Sequence, residues 1–368
     1  AGRRVVGWKH DRRKDETIFT VKESLDPVTI AQKIAMLLGE EGLLSESGKN
    51  ALAKLDEAAA GDNAEEVAVR APWFCSGCPH NSSTKLPDGS RAFAGIGCHF
   101  MAKWMDRETI GFTHMGAEGA NWVGESLFST REHMFQNLGD GTYNHSGVQA
   151  IRMALAAGTN ITYKILFNDA VAMTGGQPVD GVLTPVDISR QVHAEGVRRI
   201  VVVTEDLSRS APASSFAPGT ELRHRDDLDE TQQQLAAEPG VSVMIYDQTC
   251  AAQKRRRRKR GQLEDPTRRV FINQRVCEGC GDCGEQSNCL SVLPVDTPLG
   301  RKRRIDQSSC NKDYSCVKGF CPSFVSLPGA VPRKVADEIE VPRALQLLPE
   351  PQRPTLPEVG TYNVLVTG

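Results

Sequence analysis

The spacing of its cysteines constrains this chain more than any other feature of the sequence. A secreted disulfide framework is usually short and uses an even number of cysteines, whereas this chain has 368 residues and 11 cysteines. Thiols two residues apart lie on one turn and point at one ion or cluster, so the spacing predicts metal-bound thiolates. The cysteines are Cys75, Cys78, Cys98, Cys250, Cys277, Cys280, Cys283, Cys289, Cys310, Cys316 and Cys321.

The cysteines from residue 277 onward have the spacing of a [4Fe–4S] site. Three of them stand two residues apart, and Cys321 is followed by a proline. In bacterial ferredoxins, closely spaced thiolates of this kind bind a cluster together with a Cys-Pro from another part of the chain. We therefore predict a small ferredoxin-like module with one cluster on Cys277, Cys280, Cys283 and Cys321.

Three further cysteines depart from the ferredoxin pattern. Cys289 follows after five residues rather than three, and Cys310 and Cys316 are also five residues apart. A second cluster on Cys289, Cys310 and Cys316 would need a ligand other than cysteine, and the spacing leaves this open. A zinc ribbon is the alternative for the whole group, because paired CxxC motifs commonly bind zinc.

Residues 71–250 have the pattern of an α/β domain. We predict helices at 146–157 and 187–195 and strands at 161–167, 199–204 and 241–246. Alternation of strand and helix indicates a parallel sheet with helices on both faces. Ligands of such sheets bind at the carboxyl ends of the strands, so the site is expected there.

The segments around this domain differ in character. Residues 1–70 are expected to form a mostly helical lead-in, with one helix from Asp26-Pro27 to about residue 38 and another at 49–60. Residues 265–330 would form the cluster module. The proline-rich tail, 331–368, ends in an apolar strand and is expected to lead into a further domain of a longer polypeptide.

A basic stretch separates the two predicted domains. Residues 254–260 are seven consecutive cations within a predicted linker at 251–264. A solvated linker is the favoured interpretation, and attraction of an acidic partner stays open. The net charge of the chain is −2, which gives no overall excess for recruiting nucleic acid. No run of about 18 apolar residues and no secretory signal occur, so we expect a cytoplasmic protein without membrane contact.

A glycine-rich motif indicates a phosphate and metal site. Gly139, Asp140 and Gly141 follow a predicted strand, and Asn168 follows the next one. A carboxylate and an amide at neighbouring strand ends suit Mg²⁺, which takes its remaining ligands from phosphates. The glycines let the backbone approach a diphosphate beside a helix N-terminus. This spacing is typical of thiamine diphosphate sites, and an unrelated glycine turn is the alternative.

Four short motifs follow one another along the chain. They are CSGCPH (75–80), GIGC (95–98), GDGTYNHSG (139–147) and NDAVAMTGGQ (168–177). With these motifs in this order, the chain resembles the 2-oxoacid:ferredoxin oxidoreductases, most closely their indolepyruvate-type members. The resemblance covers the 71–250 region and extends through the cluster module to about residue 325.

The resemblance implies roles for individual residues. Asp140, Asn168 and the backbone carbonyl of Ala170 would bind Mg²⁺, and Gly139 and Gly141 would line the diphosphate. His80 and His145 would position groups or transfer protons near the thiazolium, and a structural role for either stays open. The cysteines implied to hold a cluster beside thiamine are Cys75, Cys78, Cys98 and Cys250. For Cys250 a buried free thiol is the alternative.

The resemblance also implies an activity. Thiamine diphosphate beside clusters would oxidise an aryl-pyruvate-like 2-oxoacid to acyl-CoA, because clusters accept electrons one at a time. Two [4Fe–4S] clusters are expected, with a third left open. Coenzyme A, ferredoxin or a similar acidic carrier, a separate pyrimidine-binding domain and a second copy of the chain are the implied partners. A non-oxidative decarboxylase, an electron-transfer subunit and a zinc-ribbon nucleic-acid-binding module are the alternatives.

Overall fold

The protein is described here from a computed structural model that covers residues 26–61, 71–177, 181 and 183–330. The chain divides into two compact units, Ala1–Ala71 and Pro72–Gly368. The predicted tail at 331–368 and the rest of the lead-in lie outside the described residues. Within the described ranges, no helix is both long and apolar enough to cross a membrane.

The first unit contains two helices, α1 (Pro27–Glu40) and α2 (Glu46–Gly61). The side chain of Asp26 accepts hydrogen bonds from the backbone N–H groups of Val28 and Thr29, which caps α1 as the sequence predicts. The two helices pack together, and Gln32 donates to Asp56 across them at 2.7 Å. No residue of α1 is buried, so the pair encloses little core.

The second unit is built on a parallel sheet. In the part of the chain that the structure describes, seven strands lie in the order β2-β1-β3-β4-β7-β5-β6, and every neighbouring pair is parallel. The predicted α/β class is therefore confirmed. The strands are β1 (Ala92–Ala94), β2 (Thr109–Phe112), β3 (Met134–Gly139), β4 (Ile161–Phe167), β5 (Arg199–Thr204), β6 (Glu221–His224) and β7 (Val241–Asp247).

Helices cover both faces of this sheet. On one face Ile151 and Val192 pack against the strands, and on the other Leu228 and Leu235 do so. Strands buried on both faces are continuously apolar rather than alternating, as in residues 200–203. The helices are α3 (His80–Ser83), α4 (Ala120–Glu125), α5 (Asp140–Thr142), α6 (Val148–Ala157), α7 (Pro185–Glu195) and α8 (Leu228–Ala237). A π-helical turn, Tyr143–Gly147, joins α5 to α6, and short 3₁₀ turns occur at Cys98–Trp104, Leu207–Arg209, Ala213–Ser215 and Arg225–Asp227.

Local capping explains where α7 begins and ends. Its N-cap Thr184 forms a capping box with Asp187, and Pro185 occupies the first helical position. The helix therefore begins two residues before the predicted start. It ends at Gly196, which has a φ of 113° that L-residues other than glycine rarely adopt.

The basic stretch is helical and partly exposed. Helix α9 (Ala251–Lys259) contains most of the seven cations. Several of these cations have partners within the chain, either carboxylates or hydrogen-bond acceptors. Lys254 forms an ion pair with Glu205, and Arg257 forms one with Asp169 at 2.5 Å. Arg258 donates to the backbone carbonyl of Asn311 at 2.8 Å. The helix thus joins the sheet domain to the cysteine-rich region.

The cysteine-rich region consists of two short antiparallel ribbons and one helix. Strand β8 (Arg269–Ile272) pairs with β11 (Phe324–Leu327), and β9 (Val292–Thr297) pairs with β10 (Gly300–Ile305). Helix α10 (Asp282–Ser287) and a 3₁₀ turn, Ser315–Val317, complete it. Its buried cluster is Ile272, Cys277 and Cys283, with a few partly buried neighbours. So small an apolar core usually needs a further cross-link such as a metal centre.

Candidate functional site

A cavity of about 450 Å³ lies at the carboxyl ends of β1, β3 and β4. Each of these strands is followed directly by a segment that lines it, as expected for a parallel sheet. The lining includes Gly97, Gly139, Asp140, Asn168 and Ala170. A larger cleft of about 770 Å³ lies at the amino ends of β1 and β2, and none of the predicted site residues lines it.

Asp140 joins the ends of two adjacent strands. Its Oδ1 accepts from the N–H of Gly141 at 2.9 Å, and its Oδ2 accepts from the N–H groups of Asn168 and Asp169 at 2.9 and 3.1 Å. Burial raises the pKa of this carboxyl group, and the three N–H groups oppose that rise by stabilising the carboxylate. The geometry therefore brings Asp140 and Asn168 together.

Asn168 has an unsatisfied oxygen at this place. Its Oδ1 is buried and has no hydrogen-bond partner. A buried polar atom without a partner costs about 1–3 kcal/mol, so it marks a position suited to a ligand or cation. A carboxylate beside an amide oxygen is a set of hard donors that fits Mg²⁺, which keeps several non-protein ligands. Ala170, whose carbonyl was predicted as a further ligand, is buried and also lines the cavity.

The glycines of the motif leave room for a ligand. A Cβ added to Gly141 would meet no atom within 4 Å. A Cβ on Gly139 would lie 3.2 Å from Nε2 of His99, and one on Gly97 would lie 2.8 Å from the same nitrogen. The wall is therefore open at Gly141 and closed by an imidazole beside Gly139.

His99 is a cavity residue that the sequence reasoning missed. It is 2% exposed, and neither ring nitrogen has a hydrogen-bond partner. Burial, helped by nearby His80, lowers the pKa of His99 to about 3, so the ring is neutral. Its place directly after Cys98, in a motif that follows a strand, is the signal that could have identified it.

The two predicted histidines also line the cavity. His80 is buried, with its Nδ1 3.4 Å from Oγ of Ser83 and its ring 5.5 Å from that of His99. Burial lowers the pKa of His80 to about 4. His145 is exposed, and its Nδ1 lies 2.7 Å from Oγ of Ser146. His80 is therefore a neutral, fixed group, whereas His145 is open to solvent.

The loop after β2 contributes one wall and a buried acid. Met115 lines the cavity. Glu118 is buried, accepts from the N–H of Gly116 at 2.6 Å through Oε2, and has no partner at Oε1. Burial raises the pKa of Glu118. The acid thus fixes a turn within its own loop, and Glu118 does not line the cavity.

The four cysteines that are dispersed along the chain lie near one another, and we call them the inner cysteine set: Cys75, Cys78, Cys98 and Cys250. Burial, together with the charges of Cys250 and Cys75, raises the pKa of Cys98 to about 11. Burial likewise raises the pKa of Cys78, with smaller contributions from the other three. Cys98 also lines the cavity, so this set adjoins the candidate cofactor site.

The later cysteines form two groups. Burial and Cys277, with Cys321, raise the pKa of Cys283; we call Cys277, Cys280, Cys283 and Cys321 the Cys321 set. Burial, Cys289 and Cys310 raise the pKa of Cys316 to about 12; these three are the Cys310 set. Cys280 is exposed, on the same loop as its neighbours. Cys283 also contributes to the raised pKa of Cys316, so the two groups adjoin each other, and the division of these cysteines between two clusters stays a prediction.

The chemistry of these thiols fits a metal centre. None of the cysteines is in a disulfide. A raised pKa disfavours the thiolate, and a bound cation supplies the positive charge that reverses this. Over the residues described, however, no three His, Cys, Asp or Glu side chains converge as a cage for a single metal ion.

The loop that follows Cys310 contacts the loop between Cys75 and Cys78. Nδ2 of Asn311 donates to the carbonyl of Ser76 at 2.8 Å. A Cβ on Gly77, which has a φ of 68°, would lie 3.1 Å from the Cβ atoms of Asn311 and Asp313. The loop after Cys310 therefore packs on the loop between Cys75 and Cys78.

Two domain families match this chain. Residues 95–245 match the C-terminal TPP-binding domain of thiamine pyrophosphate enzymes, which contains the cavity. Residues 1–62 match the indolepyruvate oxidoreductase domain. The resemblance predicted from the motifs is confirmed by both matches.

Curated relatives agree with these matches. The chain is 26% identical to indolepyruvate oxidoreductase subunit IorA of Thermococcus kodakarensis over 275 residues, 70% of this chain and 40% of that protein. It is 28% identical over 280 residues to the same subunit of Archaeoglobus fulgidus, 72% of this chain and 41% of that protein. The chain thus spans about 40% of the length of these relatives. A 2-oxoglutarate:ferredoxin oxidoreductase structure from Magnetococcus marinus covers 52% of this chain and 68% of its own at 18% identity and a TM-score of 0.38, too distant to add to the assignment.

Proposed function

We propose that this chain, which is similar to the IorA subunits, is the thiamine diphosphate-binding segment of a 2-oxoacid oxidoreductase. The observation that supports this best is the pairing of Asp140 with Asn168 at adjacent strand ends. The unpartnered amide oxygen of Asn168 stands beside a cavity that Cys98 also lines. A hard-oxygen site and a redox-active cysteine set at one cavity suit a cofactor that decarboxylates and an acceptor that removes electrons.

In this proposal Asp140, Asn168 and the carbonyl of Ala170 hold Mg²⁺. Gly139 and Gly141 let the backbone border the diphosphate. Thiamine diphosphate, when bound, supplies the electron sink for loss of CO₂ from a 2-oxoacid. The chain's own task is to place that cofactor at the sheet edge and to keep water from it.

Side chains around the cavity divide that task. Ile96, Met115 and Met173 give the cavity an apolar wall. Neutral His80 and His99 orient groups without adding charge. His145, being exposed and bonded to Ser146, is the group suited to moving a proton between cavity and solvent.

The cysteine sets supply the electron acceptors of the proposal. The inner set and the Cys321 set each offer four thiolates for a [4Fe–4S] cluster. The Cys310 set offers three, so a third cluster there requires another ligand. Iron–sulfur clusters accept single electrons, which matches a two-electron oxidation completed in two steps.

The overall reaction balances as follows. A 2-oxoacid anion and the thiol of coenzyme A yield acyl-CoA, CO₂, one proton and two electrons. The C–C bond to the carboxylate breaks, and a thioester forms. The two electrons leave singly to ferredoxin or a similar carrier. An aryl-pyruvate is the proposed substrate class.

The test uses the intact enzyme, purified without oxygen. We expect iron, acid-labile sulfide and thiamine to copurify, and indolepyruvate with coenzyme A to drive reduction of a viologen dye. The chain alone is expected to show no turnover, because the pyrimidine-binding domain belongs to another part of the enzyme. Zinc without iron, or robust activity of the isolated chain, would contradict the proposal.

A further inference from the structure

Helix α9 sorts its cations onto two faces. Toward the cofactor loop, Arg257 pairs with Asp169 at 2.5 Å, and Arg256 donates to the carbonyl of Gly175 at 3.1 Å. These contacts hold the loop that contains Asn168. This face of the helix is therefore occupied within the chain.

The other face borders a strongly cationic groove of about 470 Å³. Positions 255, 258 and 259 have the spacing of one helical face, and the cysteine-rich region supplies the opposite wall. Five cations line the groove against one carboxylate, Asp265, which leaves four positive charges uncompensated. The cations are Arg255, Arg258, Lys259, Arg269 and Lys312.

Contacts within the groove leave most of this charge in place. Arg255 and Arg258 donate to the backbone carbonyls of Ser308 and Asn311 at 2.7 and 2.8 Å, and these neutral acceptors cancel no charge. Lys312 pairs with Asp265 at 2.5 Å. Nε of Arg258 lies 3.7 Å from the same carboxylate, so Asp265 is shared between two cations. The groove thus keeps a surplus of positive charge.

The groove is also lined by a thiol, Cys310, which belongs to a proposed cluster site. The loop after Cys310 contacts the loop between Cys75 and Cys78 through the hydrogen bond from Asn311 to Ser76. The groove therefore combines uncompensated cations with a cysteine of a proposed cluster site.

We infer that this groove is the docking site for the acidic face of a one-electron carrier protein. The inference rests on the proposed function and adds where the carrier binds. Four uncompensated cations would attract carboxylates and speed encounter. Docking forms no covalent bond; each encounter reduces one carrier by one electron, and two encounters remove the pair released from one 2-oxoacid. A nucleic acid would also match the positive charge, but it accepts no electrons, so a proposed cluster site at Cys310 beside the groove would serve no purpose in binding it.

The experiment measures binding by the intact enzyme, using a small acidic ferredoxin as the probe. Lys259→Glu reverses a groove charge at a residue whose side chain forms no hydrogen bond or ion pair with the described residues, and Arg255→Glu/Lys259→Glu reverses two. Lys302→Glu/Arg304→Glu on β10 is the matched control, with two reversals that do not line the groove. We expect the double groove variant to raise the Kd at low salt about tenfold or more, and the control to change it about twofold or less.

The possible results are distinct. A larger loss for the groove variants, decreasing as salt rises, supports the site. Equal losses for groove and β10 variants, no loss in either, or displacement of the ferredoxin by a single-stranded oligonucleotide at matched charge would overturn it. Binding to the resting enzyme needs no turnover, so it tests the groove even where 2-oxoacid-dependent viologen reduction fails.

Discussion

Replacing His99 by phenylalanine should change the empty and cofactor-bound enzyme in opposite directions. In the empty cavity both imidazole nitrogens are buried without partners. Phenylalanine has nearly the same shape and no polar atoms, so it removes that penalty. With cofactor present, the variant lacks the imidazole nitrogen that would lie 3.2 Å from a Cβ on Gly139.

The two effects have different sizes. An unsatisfied buried polar atom costs about 1–3 kcal/mol, part of which the larger phenyl ring offsets, so we expect the empty enzyme to gain about 1 kcal/mol or to stay unchanged. A hydrogen bond to a charged group contributes about 1.5–3 kcal/mol. Loss of such a bond to the diphosphate would weaken thiamine diphosphate binding about 10- to 100-fold.

The assay measures the Kd of thiamine diphosphate with Mg²⁺ by fluorescence quenching, and the Tm with and without cofactor. His99→Gln, which keeps a donor, should recover part of the affinity. The matched control is His133→Phe, because His133 is a partly buried histidine whose Nε2 lies 2.8 Å from Oγ1 of Thr162, at the start of β3 and away from the cavity.

The control should lower the Tm of both forms and leave the cofactor Kd unchanged. If His99→Phe binds thiamine diphosphate as tightly as the parent enzyme, the imidazole does not face the ligand and the reasoning is wrong. A fall in the Tm of the empty enzyme, with affinity kept, would assign His99 a purely structural role.

Three further substitutions test other parts of the site and fold. Asp140→Asn turns an amide NH₂ toward at least one of the three N–H groups that the carboxylate accepts from. We therefore expect the free energy of unfolding to fall by about 1–3 kcal/mol in a denaturant titration, and Mg²⁺-dependent cofactor binding to weaken in a fluorescence assay. Unchanged values would contradict these contacts. Burial lowers the pKa of Lys164 from 10.5 to about 7. Between those pH values the unfolded chain binds more protons than the folded chain, so the stability of the fold rises with pH. The Tm of the parent, relative to that of Lys164→Met, should therefore increase between pH 7 and 9, and a constant difference would refute the shift. Cys98→Ser should remove about four irons per chain together with one EPR signal while cofactor binding persists, whereas full iron content would exclude Cys98 as a ligand.

Several features of the fold could be predicted because they depend only on residues that are adjacent in the sequence. Asp26 and Pro27 mark the start of α1, and Gly196 marks the end of α7. Continuous apolar runs predict strands buried on both faces. In each case the physical cause lies within a few residues of its effect.

The candidate site could be predicted only in part. Asp140 and Asn168 were expected to meet because parallel strands align their carboxyl ends, and they do. His99 was not expected, because its importance comes from two nitrogens left without partners, and this depends on every neighbour in space. The ion pairs of the basic stretch were not expected, because the sequence shows the charge of this stretch but not that Glu205 and Asp169 lie beside it.

By itself, then, the sequence determined the alternation of strands and helices, the order of the motifs and the spacing of the cysteines, since these depend on backbone preferences and on the reach of short chain segments. Only the tertiary structure decided which thiols neighbour which, which cations stay uncompensated and which buried nitrogens have no partner. Those properties depend on burial and electrostatics summed over residues far apart in the chain, and no local pattern contains that sum.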